Sequence, residues 1–101
     1  MEQRNATAAV IGAGDYIGGA IAKNFAAEGF TVFAGRRQGD KLAPLVAEVK
    51  ANGGRIFARS LDARKEDDLT AFLEDADKQA PLEVCIFNIG ANCQFSIARD
   101  D

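Results

Sequence analysis

The sequence predicts an α/β fold of three layers, in which helices cover both faces of a doubly wound parallel sheet. Short apolar runs alternate with amphipathic helical patterns in the order βαβαβαβ, which is the first half of such a fold. The apolar runs are nearly continuous, as is typical of strands buried on both faces of a parallel sheet. Right-handed crossovers then favour the strand order 3-2-1-4.

The first three elements follow from two apolar runs and one helical repeat. Residues 6–11 form an apolar run that predicts a buried strand. Ile17, Ile21 and Phe25 recur at every fourth residue with alanines beside them, which predicts a helix with a small-residue face. Residues 30–34 are rich in β-branched and aromatic side chains and predict a second strand.

Two more helices and two more strands complete the pattern. Asp40 is the predicted N-cap of the second helix. Its apolar positions follow helical spacing: Leu42, Leu45, Val46 and Val49. Strands are predicted over residues 55–61 and 83–87, with a third helix around residues 69–76 between them. Residues beyond 90 show no clear periodicity and are predicted to form a loop.

Length and charge narrow the classes of function. The 101 residues predict a single domain over 1–101. The formal charge of −3 gives no reason to expect a nucleic-acid partner, and the absence of histidine excludes Ser-His-Asp and Cys-His catalysis within these residues. No apolar run approaches the roughly 20 residues of a membrane span. The first residues also lack the apolar core of a signal peptide, so we expect no membrane partner and a cytoplasmic location.

The two cysteines predict neither a metal site nor a disulfide. Cys85 lies inside an apolar run, which is typical of a buried free thiol in a reducing compartment. Two cysteines are also too few for a four-cysteine zinc site, and no metal ligands are predicted elsewhere.

A glycine-rich turn separates the first strand from the first helix and reads Gly12-Ala13-Gly14-Asp15-Tyr16-Ile17-Gly18-Gly19. A diphosphate needs a turn that it can approach closely, together with the N–H groups and positive dipole end of a helix. Gly12 suits the tight turn, Gly14 has no Cβ to obstruct a phosphate, and Gly18 or Gly19 allows close helix packing. A glycine-rich turn without a ligand is the alternative interpretation.

This turn resembles the glycine motif of the short-chain dehydrogenase/reductase (SDR) family, which reads Thr-Gly-x-x-x-Gly-x-Gly. Gly12 and Gly18 match its first and last glycines, whereas Ile11 replaces the threonine and Tyr16 replaces the middle glycine. Tyr16 either stacks near a ligand or caps the loop against the protein. The resemblance implies a Rossmann-like fold that binds a nicotinamide dinucleotide through the turn residues Gly12, Gly14, Tyr16, Ile17 and Gly18.

The end of the second strand favours NADP over NAD as the cofactor. An NAD site usually places an acidic residue there to hold the ribose hydroxyls, but this sequence reads Ala34-Gly35-Arg36-Arg37. Two guanidinium groups suit a 2′-phosphate, because each can form bidentate, charge-assisted hydrogen bonds. In the resemblance, Gly35 stands where the NAD-selecting acid would be and Arg36 where NADP-dependent members carry a basic residue. The alternative is that both arginines are solvated surface charges.

Two downstream segments extend the resemblance to residues 6–92. Asp62 and Ala63 follow the third strand, where the family has an aspartate that holds the adenine ring; a helix cap or turn residue is the alternative. Phe87-Asn88-Ile89-Gly90 resembles the family's Asn-Asn-Ala-Gly, with Asn88 and Gly90 matching. This segment supports the central sheet and approaches the adenosine ribose in the family, and ordinary turn chemistry is the alternative.

The catalytic pair of the family, Tyr-x-x-x-Lys, does not occur in the sequence. Its tyrosine acts as acid and base toward the substrate, and its lysine lowers the pKa of that tyrosine. Here the single tyrosine is Tyr16, and Ala20 stands four residues later. No catalytic residue is therefore predicted. We expect the amino-terminal, cofactor-binding half of an NADP-dependent oxidoreductase, which would meet a small carbonyl or alcohol substrate only with its catalytic half.

Two alternatives remain open at this point. One is a non-catalytic dinucleotide-binding or redox-sensing module, and the other is a degenerate fold without a ligand. The fourth strand adds a further expectation, because it would normally pair with a fifth strand that the sequence does not predict. Residues 84–87 would then present an apolar edge, which predicts self-association.

Overall fold

One mixed sheet of five strands forms the centre of the protein, for which we describe a computed structural model. The structure describes residues 4–12, 16–88 and 94–98, with backbone only at Tyr16 and 94–98. The strands are β1 (Thr7–Ile11), β2 (Thr31–Arg36), β3 (Arg55–Ser60), β4 (Leu82–Asn88) and β5 (Gln94–Ala98). Their order is β3-β2-β1-β4-β5, and the first four are parallel. The predicted α/β fold and the order 3-2-1-4 are therefore confirmed.

Helices cover both faces of this sheet and enclose two apolar clusters. The helices are α1 (Tyr16–Ala27), α2 (Ala43–Ala51) and α3 (Glu66–Gln79). The helices α1 and α2 share one cluster with the sheet, whose buried members are Val10, Ala22, Ala26, Val32, Ala34, Leu42, Val49 and Ile56. The helix α3 closes the other, whose buried members are Ala9, Ile11, Phe33, Leu61, Phe72, Ala76, Leu82 and Cys85. This separation confirms the predicted three layers.

Small side chains bring α1 close to the sheet, as predicted. Ala22 and Ala26 are buried, while the larger Ile21 and Phe25 are only partly buried around them. Ile17 was predicted on the same apolar face, but this was wrong, because it is half exposed in the first turn. Ile17 thus lies on the part of α1 nearest the carboxyl edge of the sheet, beside the glycine turn.

The second helix does not begin as predicted. Asp40 was expected to be an N-cap, but it lies within a 3₁₀ turn over Gly39–Leu42, where its backbone carbonyl accepts a hydrogen bond from Ala43. The helix α2 follows directly, with Pro44 in its first turn. The 3₁₀ turn forms here because the amide of Gly39 is held by Ser60 on the neighbouring strand at 3.0 Å, a contact that fixes how the chain enters the helix.

Residues 94–98 form a strand and not part of the predicted loop. The strand β5 pairs antiparallel with β4, from Asn88 opposite Gln94 to Val84 opposite Ala98. Its sequence alternates polar and apolar residues, Gln-Phe-Ser-Ile-Ala, which is a strand pattern that the sequence analysis missed. Because β5 covers this edge of β4, the predicted exposed apolar edge is wrong, and the expected self-association loses its basis.

The thiol of Cys85 is buried, as predicted. It lies in β4 within the α3-side cluster, and burial raises its pKa to about 11. At neutral pH this thiol is therefore protonated and acts as a small apolar side chain. Cys93 lies outside the described residues. Over the described ranges, none of the helices has the length and apolar character needed to cross a membrane.

Candidate dinucleotide-binding site

The carboxyl ends of the four parallel strands meet at one edge of the sheet. Gly12 follows β1, Arg36 ends β2, Asp62 lies two residues beyond β3, and Asn88 ends β4. The connections from β1 and β4 leave in opposite directions along the sheet, and such a switch point is where open α/β sheets bind ligands. The structure thus brings these four predicted positions to one edge, while Gly14 and Gly90 lie outside the described residues.

The turn after β1 lies against the end of β4. Gly12 has a φ of +86°, and its amide donates a hydrogen bond to the carbonyl of Gly35 at 2.7 Å. A Cβ at this position would lie 1.9 Å from the carbonyl oxygen of Asn88. The side-chain amide of Asn88 is buried and donates to the carbonyl of Gly12 at 3.4 Å. Glycine is therefore required here both by its backbone conformation and by contact with a neighbouring strand.

The first turn of α1 carries no acidic side chain and begins at this same edge. Helix N-termini favour anions, because their N–H groups and the helix dipole both present positive charge. Gly18 is buried in this turn, and the half-exposed Ile17 lies beside it. Of the predicted turn residues, Gly12, Ile17 and Gly18 are thus at the edge, while nothing is described for the side chain of Tyr16.

The strand β2 extends two residues further than predicted and ends at the arginine pair. Arg36 lies opposite Ser60 of β3, and its carbonyl accepts a hydrogen bond from the amide of Leu61 at 2.7 Å. Arg36 is partly buried, whereas Arg37 is exposed in the connection that follows. The pKa of Asp62 is lowered mainly by Arg64, and the charge of Arg37 makes the smallest contribution.

Asp62 is held by Arg64, a residue that the sequence analysis did not consider. One oxygen of Asp62 accepts hydrogen bonds from the backbone amide and the Nε of Arg64, both at 3.1 Å, and the other accepts from its Nη2 at 3.3 Å. These hydrogen bonds lower the pKa of Asp62 to about 2, with a smaller contribution from Arg37. Asp62 thus holds the turn that follows β3 and is ionised at neutral pH. Ala63 packs beside it against the α3-side cluster.

Replacing Arg64 with alanine should raise the pKa of Asp62 from about 2 towards 3.8, its ordinary value, because the side-chain hydrogen bonds are lost. The native pKa is lowered, so the ionised carboxyl stabilises the fold above pH 3.8, and this contribution is lost as the pH falls through about 2. An NMR titration of the aspartate carboxyl carbons measures the change. Arg59→Ala is the matched control, because Arg59 pairs with Asp75 at 2.6 Å and should move the pKa of Asp75 alone. An unchanged Asp62 titration in Arg64→Ala would contradict the assignment.

The position before the arginine pair has no room for a side chain. A Cβ on Gly35 would lie 2.8 Å from the ring of Phe72 and 3.0 Å from a methyl group of Leu61. Phe72 is fully buried, so its ring is not able to move into solvent. The sequence has no acidic residue at this position, and packing against α3 gives a physical reason for its absence. In residues 4–12, 16–88 and 94–98, no group of three or more acidic or cysteine side chains is placed to hold a metal ion.

The sequence and the fold of this chain are similar to those of known proteins. The family model described as short chain dehydrogenase matches residues 6–100. A short-chain dehydrogenase from Rhodopseudomonas palustris is 77% identical over 91% of this chain, with a TM-score of 0.86. A hydroxysteroid dehydrogenase from Escherichia coli is 30% identical over 89% of this chain, with a TM-score of 0.80. An actinorhodin polyketide ketoreductase solved with NADPH is 27% identical over 90% of this chain, also with a TM-score of 0.80.

The chain spans 43%, 38% and 36% of the lengths of those three proteins, respectively. No protein in the search of curated proteins matched it. The family match nevertheless covers nearly the whole sequence, and the order of the parallel strands agrees with it. The chain therefore belongs to the short-chain dehydrogenase/reductase family of oxidoreductases, which bind nicotinamide cofactors.

Proposed function

We propose that this chain forms the NADP-binding portion of a short-chain oxidoreductase. The observation that carries the proposal is the end of β2, where Arg36 and Arg37 follow a glycine that packing keeps free of any carboxylate. A 2′-phosphate carries negative charge and oxygen acceptors, which guanidinium groups bind in bidentate fashion. A metagenomic short-chain oxidoreductase, 28% identical over 86% of this chain, was solved in complex with NADP, which supports the same cofactor here.

The glycine turn fits the diphosphate of such a cofactor. Gly12 itself has no side chain at the end of β1, where its backbone lies against β4, and the described first turn of α1 carries no acidic side chain. We assign the diphosphate contacts to this turn and to the start of α1. The turn residues assigned are Gly12, Gly14, Tyr16, Ile17 and Gly18.

The ends of β3 and β4 fit the adenosine portion. Asp62 is ionised and partly buried, so its carboxylate is suited to accept a hydrogen bond from the exocyclic amine of adenine. Ala63 beside it offers a small apolar surface to the ring. Asn88 holds the turn after β1 in place, and we assign the ribose to the segment that contains Asn88 and Gly90.

The chemistry that a bound nicotinamide cofactor would supply is hydride transfer to or from a carbonyl or alcohol substrate. The described residues bind and orient the cofactor, and since the sequence contains no Tyr-x-x-x-Lys, we propose that these 101 residues do not turn over substrate by themselves. A dinucleotide-binding module without turnover is the second candidate function, favoured by the same sequence feature. The full-length gene product distinguishes them: NADPH oxidation with a carbonyl substrate identifies an enzyme, and binding without oxidation identifies a module.

Replacing Arg36 with alanine should weaken NADP binding by about 1.5–3 kcal/mol, which is roughly ten- to hundredfold in Kd, because a charge-assisted hydrogen-bond pair is lost. Binding of NAD, which has no 2′-phosphate, should change little. Calorimetric titration with both dinucleotides measures the difference. Lys50→Ala, which removes the same charge at the far end of α2, should leave both affinities unchanged. Equal weakening of NADP and NAD would contradict the assignment of the arginines to the 2′-phosphate.

A further inference from the structure

We infer that Ser60 is a positioning residue for NADP selectivity, which acts by holding the connection that follows Arg36 and carries Arg37. The inference rests on the proposed function, because it concerns the 2′-phosphate end of the same site. Ser60 ends β3 and is exposed, so it contributes little to the apolar core. It lies directly opposite Arg36 in the register of β2 and β3.

The connection after β2 is attached to β3 at two points. The carbonyl of Arg36 accepts a hydrogen bond from the amide of Leu61 at 2.7 Å. Three residues later, the amide of Gly39 donates to the hydroxyl oxygen of Ser60 at 3.0 Å. Only Arg37 and Gln38 lie between these attachments, so the second arginine is placed by a short segment that is fixed at both ends.

The close approach of this connection requires glycine at its second attachment. A Cβ on Gly39 would lie 2.4 Å from the backbone nitrogen of Ser60 and 2.6 Å from the carbonyl carbon of Arg59. Both are backbone atoms of a paired strand, which does not yield as a flexible side chain does. Gly39 is not among the described glycines with positive φ, so the requirement is one of space and not of backbone conformation.

Fixing the connection in this way matters for recognition of a phosphate. A bidentate guanidinium contact depends on geometry, and a loop that must become ordered on binding loses affinity through the entropy of that ordering. Arg37 already lies near Asp62, whose pKa its charge lowers. The Ser60 attachment therefore restricts the position of Arg37 before the cofactor binds.

The test compares Ser60→Ala with Ser60→Thr by calorimetric titration of the full chain with NADP and NAD. Ser60→Ala removes the acceptor for Gly39 and should weaken NADP binding about fivefold, the scale of one hydrogen bond, with NAD binding unchanged. Ser60→Thr keeps a hydroxyl at the same place and should restore NADP binding. The inference is overturned if Ser60→Ala leaves NADP binding intact, if it weakens both dinucleotides equally, or if threonine fails to rescue.

A second comparison separates this inference from the proposed function. In the Arg36→Ala/Arg37→Ala background, Ser60→Ala should cause no further loss of NADP affinity, because Ser60 acts through the arginines. An additional fivefold loss there would overturn the positioning role. If the arginine variants themselves leave NADP binding unchanged, the proposed function fails. If the arginine variants lose affinity for NADP selectively while Ser60→Ala does not, only the inference about Ser60 fails.

Discussion

Gly12→Ala is expected to lower the free energy of unfolding by more than about 3 kcal/mol and to abolish NADP binding. The new Cβ would lie 1.9 Å from the carbonyl oxygen of Asn88, at a residue whose φ is +86°. Relief of this contact would require the ends of β1 and β4 to separate, because a Cβ is fixed directly to the backbone of its residue and the oxygen belongs to the backbone of Asn88. The same separation would displace the turn that we assign to the diphosphate. Chemical denaturation and calorimetric titration measure the two losses.

Gly53→Ala provides the matched control for this substitution. Gly53 has a nearly identical φ of +83°, but it is exposed in the turn between α2 and β3, at the opposite edge of the sheet. Alanine there should cost only about 1 kcal/mol for the left-handed conformation and should leave NADP binding unchanged. The difference between the two variants isolates the contact with β4. Equal destabilisation would mean that the β1 and β4 ends separate easily.

Gly35→Asp is expected to destabilise the protein by more than about 3 kcal/mol, and it should not convert NADP binding into NAD binding. An acidic residue at this position is the obvious way to favour NAD, since it would stand where NAD sites carry their carboxylate. Here, however, the side chain would start 2.8 Å from the ring of Phe72, in the cluster beneath α3. Phe72 packs edge-on against Phe33 with centroids 5.1 Å apart, so its ring is held in place.

Two further variants separate the effect of side-chain size at position 35 from the effect of the carboxylate charge. Gly35→Ala adds the Cβ without the carboxylate and should cost less than Gly35→Asp when thermal unfolding is followed by circular dichroism. Combining Gly35→Asp with Phe72→Leu removes the ring that the side chain would meet and should recover part of the loss specific to that contact, although Phe72→Leu is itself destabilising. A stable Gly35→Asp variant that gains NAD affinity would mean that position 35 reaches the cofactor edge.

The fold could be predicted where the pattern of apolar residues along the chain agrees with the rules for connecting strands in a sheet. Strand patterns that alternate with amphipathic helices leave few arrangements other than a parallel sheet, and the observed order follows from right-handed crossovers. The end of β2 was missed because Gly35 and Arg36 interrupt the apolar run, although both still pair with β3. The strand β5 was missed because five alternating residues are a weak signal without knowledge of the edge they meet.

The sequence predicted which residues lie at the candidate site, but it did not predict which of them contact each other. The sequence identifies which residues follow each strand, because parallel strands end at one edge. It does not reveal that Gly12 meets Asn88, which is 76 residues away, or that Gly39 meets Ser60. These contacts depend on the docking of separate strands. The N-cap prediction for Asp40 failed for the same reason, since the Gly39 attachment and not a local side chain determines the start of the second helix.

The contact between Gly12 and Asn88 also has a consequence for folding kinetics. Because the turn after β1 lies against β4, which is distant in the chain, we expect it to reach its native geometry only once β4 has docked beside it. Intermediates that contain only the first three strands should therefore be unable to recognise a dinucleotide. Cofactor would bind the completed sheet alone, so it should slow unfolding while leaving the early rate of collapse unchanged.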